Sequence, residues 1–239
     1  MNVFVAGASG VIGRPLVRLL VAAGHAVTGS TRSPAKAAQI EALGAHAAVV
    51  DAFDAEALQR AVAAAKPEVV IHQLTDLPDV IDPARMAAVL EANSRLREEG
   101  TRNLIVATEA AGARRLIAQS LSFVYAPGEG ARRETDPLDD ASERASTVRG
   151  VMSLEQQVMN APGLEGIVLR YGRLYGPGTW QGDRPSGTNV LHVDAAAQAA
   201  LLAVIRGAPG IYNIAEDDGA VSIDKARREL GFDPGFRMS

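Results

Sequence analysis

Apolar residues in this chain fall into short continuous runs separated by longer stretches of mixed spacing. Val3-Phe4-Val5-Ala6 is the first run, and others lie at 26–30, 47–50, 68–73 and 115–120. Runs that are almost wholly apolar, such as Val69-Val70-Ile71, read as strands covered on both faces, the environment of a parallel sheet. Between them, 13–23, 34–43, 55–65 and a long stretch near 83–111 read as helices. Gly24, Gly44, Pro67 and Gly112 stand where helices should stop. Strands alternating with helices of this length predict right-handed crossovers and an α/β fold. After residue 120 the pattern loosens. Residues 126–146 are rich in Gly, Pro and charge and read as loop, followed by a helix at 147–160 and a strand at 166–170. Residues 171–189 are glycine-rich and read as loop. A helix at 193–206, a strand at 211–214 and a short helix at 222–230 complete the chain.

The first apolar run feeds directly into Gly7-Ala8-Ser9-Gly10-Val11-Ile12-Gly13. A strand, a glycine-spaced turn and a helix in that order suit the pyrophosphate of a dinucleotide. Gly7 permits the tight turn, Gly10 clears the approach of backbone to phosphate, and Gly13 lets the helix pack close to the strand. The main chain of Ser9, Val11 and Ile12 then lines the anion's seat, at a helix N-terminus with free N–H groups and a partial positive charge.

Composition narrows the chemistry. The chain has 239 residues, 47% hydrophobic and 22% charged, enough for one large domain with a sizeable core. A net charge of −4 argues against nucleic acid as partner. There is no cysteine, which excludes disulfides, thiolate metal sites and a cysteine nucleophile. The four histidines (25, 46, 72 and 192) lack metal-ligand spacing, so no metal site is expected. No apolar run approaches membrane-spanning length and no signal-peptide pattern opens the chain; a cytoplasmic protein with no membrane partner is the expectation.

Several further segments, taken in order, resemble the extended short-chain dehydrogenase/reductases, the NAD-dependent epimerase/dehydratase family. Gly7, Gly10 and Gly13 have the G-x-x-G-x-x-G spacing of its members. Asp51-Ala52-Phe53-Asp54 resembles the acidic turn that contacts adenine, and Val70-Ile71-His72-Gln73-Leu74 the strand that ends beside the riboses. Gly100-Thr101-Arg102-Asn103-Leu104, Ser120-Leu121-Ser122-Phe123-Val124-Tyr125, the Arg170–Gly178 segment, His192-Val193-Asp194 and the Leu230–Pro234 segment match in turn. The resemblance implies a Rossmann-type doubly wound sheet. It divides the chain into a dinucleotide-binding domain over 1–165 and a reduced substrate lobe over 166–239, interleaved with the last strands. It also implies cofactor contacts at Gly7, Ser9, Gly10, Val11, Ile12, Gly13, Arg32, Asp51, Ala52 and Leu74, and a homodimer through helices 83–111 and 147–160.

Three departures from the family pattern shape the functional expectation. The family's proton-transfer pair, Tyr-x-x-x-Lys, is missing: the corresponding helix places Val148 and Met152 at those positions, and no tyrosine here has a lysine four residues on. Neither side chain moves a proton. Against family members the interval between Gly178 and His192 is short, which implies either a stunted substrate lobe or a sequence from which part of that lobe is left out. The second strand ends Gly29-Ser30-Thr31-Arg32-Ser33, with Arg32 where NAD-binding members carry an acid for the ribose 2′-hydroxyl. A guanidinium there suits a 2′-phosphate and favours NADP over NAD. Ser122 and Tyr125 are the remaining candidates to meet a substrate by hydrogen bond or proton donation. Two readings follow. One is an NAD(P)-dependent oxidoreductase or isomerase acting on a small carbonyl or sugar-type substrate. The other is a non-catalytic NAD(P)-binding redox sensor or regulatory protein.

Overall fold

The structure is a computed structural model that describes residues 1–78, 82–141 and 145–238. Seven strands form one sheet: β1 (Asn2–Ala6), β2 (Ala26–Thr31), β3 (His46–Val49), β4 (Val69–His72), β5 (Arg115–Leu121), β6 (Glu165–Tyr171) and, after two short strands introduced below, β9 (Gly210–Ile214). They lie in the order β3-β2-β1-β4-β5-β6-β9, and every pairing is parallel. The chain winds outward from β1 in one direction and from β4 in the other. A crevice therefore opens between these strands at their carboxyl ends, where the order reverses.

Side-chain alternation assigns each strand residue to one of two cores. Val3 and Val5 face one side with Val69, Ile71, Ile117, Ile167 and Leu169; Phe4 and Ala6 face the other with Val70, Leu116, Ala118 and Val168. The first side is covered by α1 (Gly13–Ala22) and α7 (Val193–Ala203), which pack on one another. In α7, Ala195, Ala196, Ala197, Ala199, Ala200 and Ala203 are fully buried; side chains this small let α1 and the sheet approach closely. The second side is covered by α3 (Ala55–Ala65), α5 (Thr101–Ala110) and α6 (Ala145–Met159). Short helices α2 (Ala37–Glu41) and α8 (Asp224–Leu230) fill the ends. Both β6 and β9 belong to the central sheet, so residues beyond 165 complete it as well as standing above it.

The stretch at 83–111 is not one helix. A 3-10 turn (Pro83–Arg85) leads into α4 (Met86–Arg95), and a π-helical turn (Leu96–Gly100) joins α4 to α5. The residues read as loop at 171–189 include strand β7 (Arg173–Tyr175), paired in parallel with β8 (Val190–His192) outside the main sheet. Three-residue strands are too short to show an alternation, which is why the sequence reading missed them. Residues 126–146 are pinned by isolated bridges, Tyr125 to Leu138 and Arg132 to Val221; 142–144 lie outside the described residues.

Candidate cofactor cleft and substrate cavity

The glycine turn leaves β1 at the crevice. Ala8 N–H donates to Ser30 O at 3.0 Å and Gly10 N–H to Gly7 O at 3.1 Å. Gly7 has φ +87°, and a Cβ there would lie 2.5 Å from Gln73 O. At Gly13 a Cβ would lie 2.2 Å from Gly7 O, so that glycine is what lets α1 start so close to the turn. Gly10 differs: its Cβ would meet only Gly7 O, at 3.2 Å, and otherwise open space. The first turn of α1 carries no acid, and its N-cap residue Ile12 makes no side-chain cap. This end of the helix is left able to receive an anion. Ser9 Oγ donates to Thr31 Oγ1 at 3.0 Å, tying the turn to the end of β2.

The other residues singled out for the cofactor sit around the same crevice. Asp51 is exposed, and its Oδ1 accepts from Phe53 N–H at 2.9 Å. Ala52 is buried and its carbonyl accepts from Asn103 Nδ2 at 2.9 Å, while Arg95 stacks on the Phe53 ring at 4.4 Å. Leu74 follows β4; its N–H donates to His72 Nδ1 at 3.3 Å and its carbonyl accepts from Gln119 Nε2 at 2.8 Å. Arg32 turns its guanidinium onto Asp76, whose backbone is in turn held by Asn93 through Asp76 N–H at 2.9 Å and Asp76 O at 3.0 Å. Gln73 Nε2 donates to Tyr171 OH at 3.2 Å, but its Oε1 is buried without a partner. A glycine cradle, an uncapped helix start and an orphaned amide oxygen on the cleft wall fit a dinucleotide.

His72, last residue of β4, is fully buried. Nδ1 accepts from Leu74, so the ring proton sits on Nε2 and faces Thr101 Oγ1 at 3.0 Å. Burial pulls its pKa from 6.5 to about 4. The unfolded chain therefore binds the extra proton first. The stabilisation is complete above pH 6.5 and is lost as pH falls toward 4, in all about 3 kcal/mol. Thermal melts across that window should show this fall, and His72→Gln should flatten it; an unchanged slope would mean that His72 titrates normally in the fold.

Ser122 and Tyr125 lie just past β5 and line a cavity of about 260 Å³ with Phe123, Arg132, Arg173 and Asn189. Both hydroxyls are engaged. Ser122, fully buried, donates to Asn189 Oδ1 at 2.7 Å. Asn189 has φ +56°, a left-handed backbone held beside the cavity. Tyr125 OH donates to Asn213 Oδ1 at 2.7 Å and accepts from Arg170 Nη1 at 2.6 Å, and burial raises its pKa. Arg170 also forms a two-pronged pair with Glu155 on α6, at 2.8 and 2.6 Å, and Ser120 Oγ donates to the same carboxylate at 2.6 Å. Burial works against the Arg170 charge, but the Glu155 contacts outweigh it and raise its pKa. On α6, Val148 is buried and Met152 is half exposed. A second polar cluster lies beyond β7, where Arg237 donates to Tyr175 OH at 2.7 Å and pairs with Glu216 at 3.2 Å.

The sequence reading placed Gln73 only within the strand beside the riboses and passed over Asp76, Arg97 and Asn189. Asp76 and Asn189 matter through partners far away in the chain, and no local spacing marks them. Arg97 sits among Arg95, Glu98 and Glu99 and reads as one more solvated charge.

A doubly wound parallel sheet with a glycine turn at its switch point defines a Rossmann dinucleotide-binding protein. The chain belongs to the NAD dependent epimerase/dehydratase family, whose profile matches residues 3–192. It is similar to a 3-diazoavenalumate denitrifying reductase from a Streptomyces species, 44% identical over 242 aligned positions that cover 92% of this chain and 77% of the relative. Among solved structures it resembles a UDP-glucose 4-epimerase with UDP-glucose from the hyperthermophilic eubacterium Thermotoga maritima. The TM-score is 0.81 at 19% identity, covering 99% of this chain and 94% of that one. It also resembles a short-chain dehydrogenase/reductase superfamily protein from Agrobacterium tumefaciens with bound NAD, with TM-score 0.76 at 19% identity over 98% and 93% of the two chains. At such identity these two speak for the fold. Among the described residues, no helix is long and apolar enough to cross a membrane.

Proposed function

We propose that this protein is a nicotinamide-dependent reductase whose substrate is a small carboxylate bearing an aryl diazonium group, reduced with loss of dinitrogen. The observation that carries the reading is the 44% identity to a denitrifying reductase across 92% of the chain. The site chemistry agrees with it. When bound, a reduced nicotinamide supplies a hydride; a diazonium group that accepts it becomes a C–H bond and N₂, with no proton to be moved. A carbonyl, by contrast, needs a proton on its oxygen, and α6 holds neither Tyr nor Lys to give one. Both charged residues that line the cavity are arginines, Arg132 and Arg173, and the latter stacks on Phe123 at 4.8 Å. Such walls suit a flat anion. The cavity's 260 Å³ is at the small end for ligand sites, which disfavours a nucleotide sugar.

In this reading Gly7, Gly10, Gly13 and the backbone of Ser9, Val11 and Ile12 hold the pyrophosphate. Asp51 and Ala52 flank the adenine, and Leu74 borders the riboses. Ser122 and Tyr125 wall the substrate cavity; their hydroxyls fix Asn189 and Arg170, so they shape the site rather than donate protons. NADP is the preferred cofactor: Arg32 would exchange Asp76 for a 2′-phosphate, which offers a doubly charged acceptor in place of a single carboxylate. A homodimer through α4 and α6 would cover Leu90 and Met159, both exposed. Dependence on a soluble coenzyme pool goes with a cytoplasmic site of action.

The test is coenzyme consumption with matched substrates. NADPH should be oxidised one-for-one with N₂ release from an aryl diazonium carboxylate, while the corresponding aldehyde and UDP-glucose stay inert. Arg32→Ala should weaken NADPH at least about tenfold and leave NADH unchanged, the loss expected for one charge-assisted pair. Ready turnover of the aldehyde would sink the reading. Tight NADPH binding with no turnover of any compound would favour the redox-sensor alternative.

A further inference from the structure

The continuous rod of α4, the π-helical turn and α5 passes the carboxyl end of β4. Asn93 and Thr101 both reach that end: Asn93 clasps the backbone of Asp76, and Thr101 meets His72 Nε2. Arg97 stands midway between them, four residues from each, and so shares their side of the rod. Its Nη1 is shielded from solvent and has no hydrogen-bond partner. Burial draws the guanidinium pKa down to about 10, and its charge reaches His72. No carboxylate among the described residues pairs with it. A shielded cationic N–H without a partner is a standing cost to the folded chain, and such a group calls for an explanation.

Its surroundings supply one. α6 packs alongside: Ser94 Oγ donates to Ser146 O at 3.1 Å, and Gln157 Nε2 donates to Glu98 O at 3.2 Å. α6 itself carries no lysine, and its arginine, Arg149, is exposed. Arg97 is thus a half-buried cation whose Nη1 this wall of the cleft keeps beneath its surface. The π-helical turn, which widens the helix by one residue, is the local device that seats it. Such bulges recur at functional sites.

We propose that Arg97 binds the ribose on the nicotinamide side of the coenzyme and makes the cleft prefer the reduced over the oxidised form. The inference rests on the nicotinamide reading given above. Oxidised nicotinamide carries a positive charge and the reduced ring is neutral. A fixed guanidinium in a poorly screened cleft therefore repels one and tolerates the other. A reductase gains from that bias, because it loads the hydride donor and releases the spent coenzyme. Arg97 in this role is a positioning residue.

The experiment measures dissociation constants for NADPH and NADP⁺, by fluorescence and calorimetry, on the parent, Arg97→Lys and Arg97→Met, with melting temperatures of the ligand-free proteins. The parent should bind NADPH at least about tenfold tighter than NADP⁺. Arg97→Met should bring the two constants together, weaken NADPH about tenfold, and raise the ligand-free melting temperature, since an unpaired, half-buried charge has been removed. Arg97→Lys, which keeps the charge and serves if the methionine variant misfolds, should retain most of the preference. A ratio unchanged in Arg97→Met, or a parent without preference, overturns the inference and leaves the nicotinamide reading intact. A parent that binds neither form overturns that reading and the inference with it.

Discussion

Gly10→Val is expected to leave the melting temperature within about 2 °C of the parent while weakening dinucleotide binding at least about a hundredfold. The two effects separate because of where the added atoms go. A Cβ on Gly10 meets nothing in the protein closer than Gly7 O at 3.2 Å, a contact that a shift of a few tenths of an ångström in the turn relieves. The side chain instead fills the space over the start of α1, where the pyrophosphate would approach. Losing two charge-assisted hydrogen bonds there costs about 3 kcal/mol or more. Gly13→Ala is the control with the opposite logic. Its Cβ would lie 2.2 Å from Gly7 O and 2.7 Å from both the carbonyl carbon and the oxygen of Ala8. Backbone has to move, and a loss of about 3 kcal/mol in stability should accompany the loss of binding. Thermal unfolding and a coenzyme titration on both variants distinguish these outcomes. Parent-like binding by Gly10→Val would place the diphosphate elsewhere.

The largest expected loss of stability follows Glu155→Ala. Glu155 and Arg170 are 7% and 5% exposed, paired at 2.6 Å, with Ser120 on the same carboxylate. Removing the acid strands a buried guanidinium, a penalty of about 3–5 kcal/mol. In a chain of this size the melting temperature should fall by roughly 10 °C. The damage should spread to the cavity, because Arg170 also donates to Tyr125 OH and to Glu134 O at 3.1 Å. Glu155→Gln keeps an acceptor for Ser120 and should fall less. The double variant Glu155→Leu/Arg170→Met should recover much of the loss, since an apolar pair of similar volume is often as stable as a buried ion pair. If Glu155→Ala melts like the parent, the network contributes no net stability.

Where the chain's local chemistry and its fold agree, the sequence was readable. β1, the glycine turn and α1 are written in contiguous residues, and β1, β4, β5 and β6 are apolar on both faces because helices cover both. What escaped reading depends on partners remote in sequence or on deviations too small to alter a pattern. A π-helical turn adds one residue to a helical period, so the stretch at 83–111 looks uniform and Arg97 looks solvated. Arg32 reads as a free cation at the end of β2 until the fold brings Asp76 to it. Ser122 and Tyr125 read as available hydroxyls until Asn189 and Asn213, supplied by the last third of the chain, take up their hydrogen bonds.

The two faces of the sheet are closed at different moments of synthesis. Phe4, Leu58, Val62, Leu104 and Leu116 can gather once the first half of the chain exists. Leu16, Val17 and Leu20 of α1 must wait for the alanines of α7 and for Tyr212. A nascent chain therefore displays an oily ridge until residues beyond 203 have left the ribosome. Stalling before that point leaves a half-clothed sheet, the kind of species that aggregates unless chaperones shield it.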